Sequence, residues 1–243
     1  YSSDITPVNF TYSHSPDLYL RIQELYYDFP NSSVSRSELG FLIQVRKWVN
    51  LKLFYANAHS LKNYEKDSWS SLYVLEKISK EPFACDCGTY SMVLAEILLS
   101  MGFRARWVCC LPMDLRFCDS HVVVQVYSNE LNKWIILDPA LNCCYFNSKG
   151  VPLSLKEFRN AIINGTRIII PGRLSRDRRI LIKYWAKNIF RFYCYMDNKV
   201  GFISETKGCK LIYLNPLNFL IENKKYTDEE HIYVYSDKVY WED

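Results

Sequence analysis

No apolar run in this chain approaches the roughly 18 residues that a membrane-crossing helix requires. No internal repeat and no low-complexity tract interrupts it, and no C-x-x-C pair is present. Its cysteines include the adjacent pairs Cys109-Cys110 and Cys143-Cys144, a spacing with poor tetrahedral geometry, so neither a metal site nor an organic cofactor is expected. Neither sign of charge dominates, with 30 Lys and Arg against 26 Asp and Glu. A formal net charge of +4 gives no argument for a nucleic-acid partner, and no nucleic-acid motif accompanies it. The one basic cluster, Arg173-Leu174-Ser175-Arg176-Asp177-Arg178-Arg179 after Pro171-Gly172, reads as a solvated linker, with a phosphate or acidic-polymer contact as the lesser alternative. The sequence opens at Tyr1 rather than Met and shows no signal peptide, which reads as a lost leader or a trimmed start.

What is present is a well-packed globular chain. With 243 residues, 49% of them hydrophobic and 16% aromatic, it can bury one good core with room for a small second unit. Nine cysteines is an odd number, so at least one thiol stays free, and a chain of this size does not need disulfide staples. Cys109, Cys110 and Cys194 lie in strand-like runs and read as core.

Three residues carry the chemistry. Cys87 opens an apolar helix in which Tyr90, Val93, Leu94, Ile97, Leu98 and Met101 fall at helical spacing on one buried stripe, and Gly102 supplies the stop. A helix N-terminus presents unpaired N–H groups and partial positive charge, the setting that favours a thiolate. His121 begins a valine-rich strand, and Asp138 ends the next one. Thiol nucleophile, base and orienting carboxylate thus occur in order, each at the end of a rigid element. Ser128-Asn129-Glu130-Leu131 is a turn signal between the two strands, and pairing Tyr127 with Asn132 across it sets His121 directly opposite Asp138 on one face. A one-residue slip would separate them.

The segments around these residues resemble the transglutaminase-like superfamily. Phe83 to Ser91 and Leu99 to Val108 look like its nucleophile helix and following strand. Asp119 to Val124 and Trp134 to Pro139 are similar to its His and Asp motifs. The likeness spans about residues 35–160, with the stretch from Ser35 to Val49 standing where such proteins have a helix ending near a Trp. That superfamily includes animal transglutaminases, peptide N-glycanases and many microbial cysteine peptidases, and the bacterial members of unknown substrate are the most similar. The resemblance implies an α+β, papain-like fold, with Cys87 as nucleophile, His121 as base and Asp138 as carboxylate. It further implies acyl transfer on a peptide, glycopeptide or peptidoglycan-like amide, with hydrolysis ahead of glutamine cross-linking or deglycosylation. With the missing leader, it points toward an extracytoplasmic setting. A non-catalytic binding module that keeps the fold is the competing class.

Other candidates attach to this site. Cys85 is the rival nucleophile or a redox partner of Cys87, but it precedes the helix and lacks the Gly88 that would let a substrate approach closely. The backbone N–H of Cys87 is one oxyanion donor, and Trp48, Asn50 and Asn57 are candidates for a second.

Along the chain, Ser15-Pro16-Asp17 starts a helix to about Tyr27, and Ser35-Arg36-Ser37-Glu38 reads as a capping box opening a helix to about Tyr55. Asp67-Ser68-Trp69 starts another that ends near Ser79. Strands follow near Arg104–Cys110, His121–Tyr127 and Trp134–Leu137, and Ser154 caps a helix to about Ile163. Helices leading and an antiparallel sheet following is an α+β layout. Residues 1–172 form the expected catalytic domain. Residues 173–243 form a β-rich extension packed on it, with short aromatic runs at Ile180–Trp185, Phe190–Tyr195, Gly201–Ser204, Leu211–Leu214, Ile232–Tyr235 and Val239–Trp241. Tyr193, Tyr195, Tyr213, Tyr233, Tyr235, Tyr240 and Trp241 read as core and cross-strand pairs, with a substrate groove as the alternative.

Overall fold

The computed structural model describes residues 8–55, 70–81, 84–114, 119–201, 210–216, 219 and 231–241. In chain order the elements are β1 (Thr11–Tyr12), α1 (Asp17–Leu25), α2 (Glu38–Lys52), β2 (Phe54–Tyr55), α3 (Ser71–Ile78), β3 (Ala84–Cys85), α4 (Cys87–Ser100), β4 (Ala105–Leu111), β5 (His121–Ser128), β6 (Lys133–Asp138) and β7 (Cys143–Cys144). They continue with α5 (Leu155–Ile163), α6 (Ser175–Asn188), β8 (Arg191–Tyr195), β9 (Asp197–Asn198), β10 (Leu211–Leu214), β11 (His231–Val234) and α7 (Asp237–Trp241). Asn57, Asp67 to Trp69, Cys118 and residues 202–204 lie outside the described residues.

One seven-stranded sheet organises the α+β fold, in the order β11-β10-β8-β4-β5-β6-β7. Its pairs are antiparallel except β10 with β11, which run parallel. Strands from residues 191–234 therefore extend the same sheet that holds His121 and Asp138. One face carries α1, α2, α3 and α4 over Val124, Val126, Ile135 and Leu137. The other carries Phe158 and Trp185 over Val108, Val123 and Ile136. A sheet covered on both faces demands apolar side chains at successive positions, which is why β5 reads Val-Val-Val rather than alternating.

Helix α4 is buried on every side from Thr89 to Ser100, more deeply than a single stripe would require, because three helices pack on one flank and β4 and β5 on the other. Its end is a Schellman motif: Phe103 N–H donates to Leu98 O at 3.0 Å and Gly102 N–H to Leu99 O at 3.0 Å, with Gly102 at φ +90°. Ser154 and Glu157 form the capping box that opens α5.

Several expectations are corrected. Helix α2 is capped by Ser37 rather than Ser35, and the residue three positions on is Gly40, so no capping box forms. Glu38 reaches out instead to the β5–β6 turn, accepting from Ser128 Oγ at 2.6 Å and Glu130 N–H at 3.3 Å. With the turn held there and Asn132 in the left-handed region at φ 51°, Ser128 pairs with Lys133 and Tyr127 with Trp134. The register is thus shifted by two residues from the expected one. Ile180–Trp185, read as a strand, lies inside α6, and the supposed basic linker is its first turns. Val239–Trp241 falls in α7. In the first case Leu181, Ile182, Trp185 and Ile189, at helical spacing, anchor the segment in the core, and in the second Tyr240 and Trp241 are buried in the same cluster. The tyrosines of β8, β10 and β11 form cross-strand pairs, with ring centroids 5.0 Å apart for Tyr193–Tyr213 and 5.1 Å for Tyr213–Tyr233.

Candidate active site

Asp86 caps α4 by accepting from Thr89 N–H at 2.8 Å and from Thr89 Oγ1 at 3.0 Å. The amides of Cys87 and Gly88, in the first turn, then have no acceptor within the helix. Gly88 serves this cap: a Cβ there would stand 3.2 Å from Asp86 Oδ1. One turn further on, Ser91 Oγ donates to Val122 O at 2.9 Å, clipping the helix that begins with Cys87 to the strand that begins with His121.

His121 is 2% exposed and Asp138 fully buried. Nε2 of His121 lies 2.9 Å from Asp138 Oδ2. The two-residue shift of register preserves this contact, because strand side chains repeat every two positions and a shift of two keeps the face. The pair meets diagonally instead of directly opposite. Burial by itself would push the ring toward its neutral form. The Asp138 charge and hydrogen bond overcome that, with Cys87 adding to them, and the ring's pKa is pushed up to about 10. Nε2 therefore carries its proton and donates to Asp138, which leaves Nδ1 for the sulfur.

Asp138 is held by two further donors. Leu141 N–H reaches Oδ1 at 3.0 Å and Tyr145 OH reaches Oδ2 at 2.8 Å. Trp185 Nε1–H donates in turn to Tyr145 OH at 2.8 Å. Burial and the Asp138 charge push the Tyr145 phenol well above its ordinary range, so it stays a donor. Trp185 also packs edge-on against the His121 ring at 5.0 Å, and Tyr184 does so at 5.5 Å. Lys187 pairs with Asp119, fixing α6 beside the approach to His121. Tyr55 and Tyr184 flank the thiol: burial raises the pKa of each, with the Cys87 charge next.

Cys87, His121 and Asp138 are brought together; most other candidates do not join them. Asn50 Nδ2 donates to Pro139 O at 2.7 Å, so it braces the turn after Asp138 rather than presenting a donor to the cleft. Trp48 is buried in the helical core against Tyr26 and Phe29. Cys85 is buried in β3, and burial, with Asp86 adding, pushes its thiol up to about 12. Among the described residues no three His, Cys, Asp or Glu side chains gather as metal ligands. Ser91, Tyr145, Tyr184 and Trp185 were not anticipated. Helical spacing of Leu181, Ile182 and Trp185 was a usable signal for α6, whereas nothing linear marks the Tyr145 hydroxyl.

The model of the transglutaminase-like superfamily matches residues 33–139. That segment, less than half of the chain, is similar to a transglutaminase-like core. It contains Cys87, His121 and Asp138 and stops short of Tyr145 and Trp185. At the level of the family, a transglutaminase-like core supports a cysteine-dependent enzyme. Among solved structures, one described as a "putative cysteine protease" from Cytophaga hutchinsonii is similar at 16% identity and a TM-score of 0.38. The alignment covers 63% of this chain and 47% of that one, so the chain matches about half the length of that structure. No curated protein matches the chain.

Proposed function

We propose that the chain catalyses cysteine-dependent acyl transfer, with hydrolysis of a peptide or cell-wall-type amide as its reaction. The observation that supports this reading is the 2.9 Å contact of His121 Nε2 with buried Asp138, which commits one ring nitrogen, together with the interaction of the same ring with Cys87. An imidazolium beside the sulfur is the counter-ion a thiolate needs. The Cys87 sulfur attacks the amide carbonyl and a C–S bond forms. The tetrahedral oxyanion is met by the free first-turn amide of Cys87. The C–N bond then breaks as His121 gives its proton to the departing amine, leaving a thioester. Water attacks that thioester, His121 takes its proton, and the acid and the thiolate are released. An amine in place of water would give cross-linking or another transfer by the same steps.

Iodoacetamide at neutral pH, read by mass spectrometry, followed by a panel of peptide and cell-wall amides, tests the proposal. Cys87 should label far faster than the other eight cysteines. Equal, slow labelling of all nine with no turnover on any amide would favour a binding module that retains the fold.

A further inference from the structure

Away from Cys87, His121 and Asp138, α5 and α6 line an open cleft of about 400 Å³. Its floor is apolar, with Ala161, Ile162, Ile168 and Ile182. Its rim carries Arg167, Arg178, Arg179 and Lys183, and no acidic residue lines it. Among the described residues none of these four cations forms an ion pair. Four unneutralised positive charges around one cleft repel each other and create a site of strongly positive potential, which an anion relieves. Large aliphatic side chains stand in water near them: Leu174 is 75% exposed, Ile163 59% and Ile180 58%. Leu174, at the N-cap of α6, and Ile180, within it, bracket Arg178 and Arg179 in the chain, while Trp185 is packed inward.

We infer that this face of α5 and α6 docks the protein peripherally on an anionic lipid bilayer. Cations attract the headgroup charge, and the exposed leucine and isoleucines enter the acyl boundary, the combination by which interfacial helices hold a membrane. A soluble polyanion would satisfy the arginines and lysine but gives no role to the three exposed aliphatics. The cleft has no aromatic residue on which a nucleic-acid base could stack. No helix among the described residues is long and apolar enough to cross a membrane, so association through this face would be reversible. Because α6 also carries Tyr184 and Trp185 against His121, docking would set the triad cleft near the lipid surface.

Sedimentation with vesicles tests this independently of catalysis. The whole chain should bind vesicles rich in phosphatidylglycerol and not pure phosphatidylcholine, and binding should weaken with salt. Arg179→Glu with Lys183→Glu, both at exposed positions, should lower vesicle partition by more than about a hundredfold, at about fivefold for each charge removed. Leu174→Ser with Ile180→Ser should lower it by about tenfold or more while leaving the salt dependence in place. Thermal unfolding and Cys87 alkylation should be unchanged in both variants, which separates a folding defect from a docking defect. Failure of the chain to bind anionic vesicles would overturn the inference. So would polyphosphate binding that the Leu174→Ser, Ile180→Ser variant leaves intact while vesicle binding never exceeds the phosphatidylcholine background.

Discussion

Ser91 and Val122 are joined by a 2.9 Å hydrogen bond from the serine hydroxyl to the valine carbonyl, and each stands next to a triad residue in its own element. Ser91 is one helical turn beyond Cys87, and Val122 follows His121 directly. One buried bond thereby sets the distance between the helix that supplies the sulfur and the strand that supplies the ring.

Ser91→Ala removes this bond and leaves the Val122 carbonyl without its side-chain donor. Stability is expected to fall by about 1 kcal/mol, with turnover falling more than the loss of folded protein explains. Denaturant unfolding beside steady-state kinetics measures the two effects separately. Unchanged turnover in a destabilised variant would reduce Ser91 to a packing role.

Tyr145→Phe deletes the hydroxyl that links Trp185 to Asp138, and so strands the buried Trp185 N–H while taking one donor from the carboxylate. A cost of about 1–3 kcal/mol is expected. Catalysis should suffer in kcat rather than KM, because Tyr145 touches the carboxylate and not the substrate. A KM-only effect would contradict that placement.

Asp138→Asn should lower kcat by roughly 10³–10⁴, since the amide cannot stabilise the imidazolium or fix its tautomer. The same pair has a pH signature. The folded-state pKa of His121 is raised from 6.5 to about 10, so the proton is held more tightly in the native state. Its stabilisation is complete below the unfolded value near 6.5 and is lost as pH climbs toward 10. Unfolding free energies of wild type and Asp138→Asn, measured across that window, should differ most at its acid end and converge at its alkaline end. A gap that widens with pH would show the sign to be wrong.

Cys87→Ala should abolish turnover and leave the unfolding midpoint close to wild type, because Cys87 is only half-buried. Cys85→Ala should keep activity, since burial pushes that thiol up to about 12 and out of reach as a nucleophile near neutral pH. Full activity in the Cys87 variant would move the nucleophile elsewhere.

The α+β layout and the order of thiol, ring and carboxyl group were legible in the chain, because each depends on short-range rules. Helical spacing and Gly102 marked α4, a valine run marked a strand buried on both faces, and Ser154 with Glu157 marked α5. The choice of Cys87, His121 and Asp138 as candidates rests on the same local patterns.

Tertiary structure alone decided how those groups are held. The β5–β6 register depended on Glu38, about 90 positions away from the turn it grips, and no local signal carries so distant a contact. Trp185 and Tyr145 reach the triad because α6 folds back across the sheet, which places residues 40 positions apart in one hydrogen bond. That helix was misread as a strand because aromatic and aliphatic residues suit either period over so short a run. The side that faced the sheet settled the matter, since a helix turns Leu181, Ile182, Trp185 and Ile189 together toward the core while leaving Arg176 and Arg179 in water.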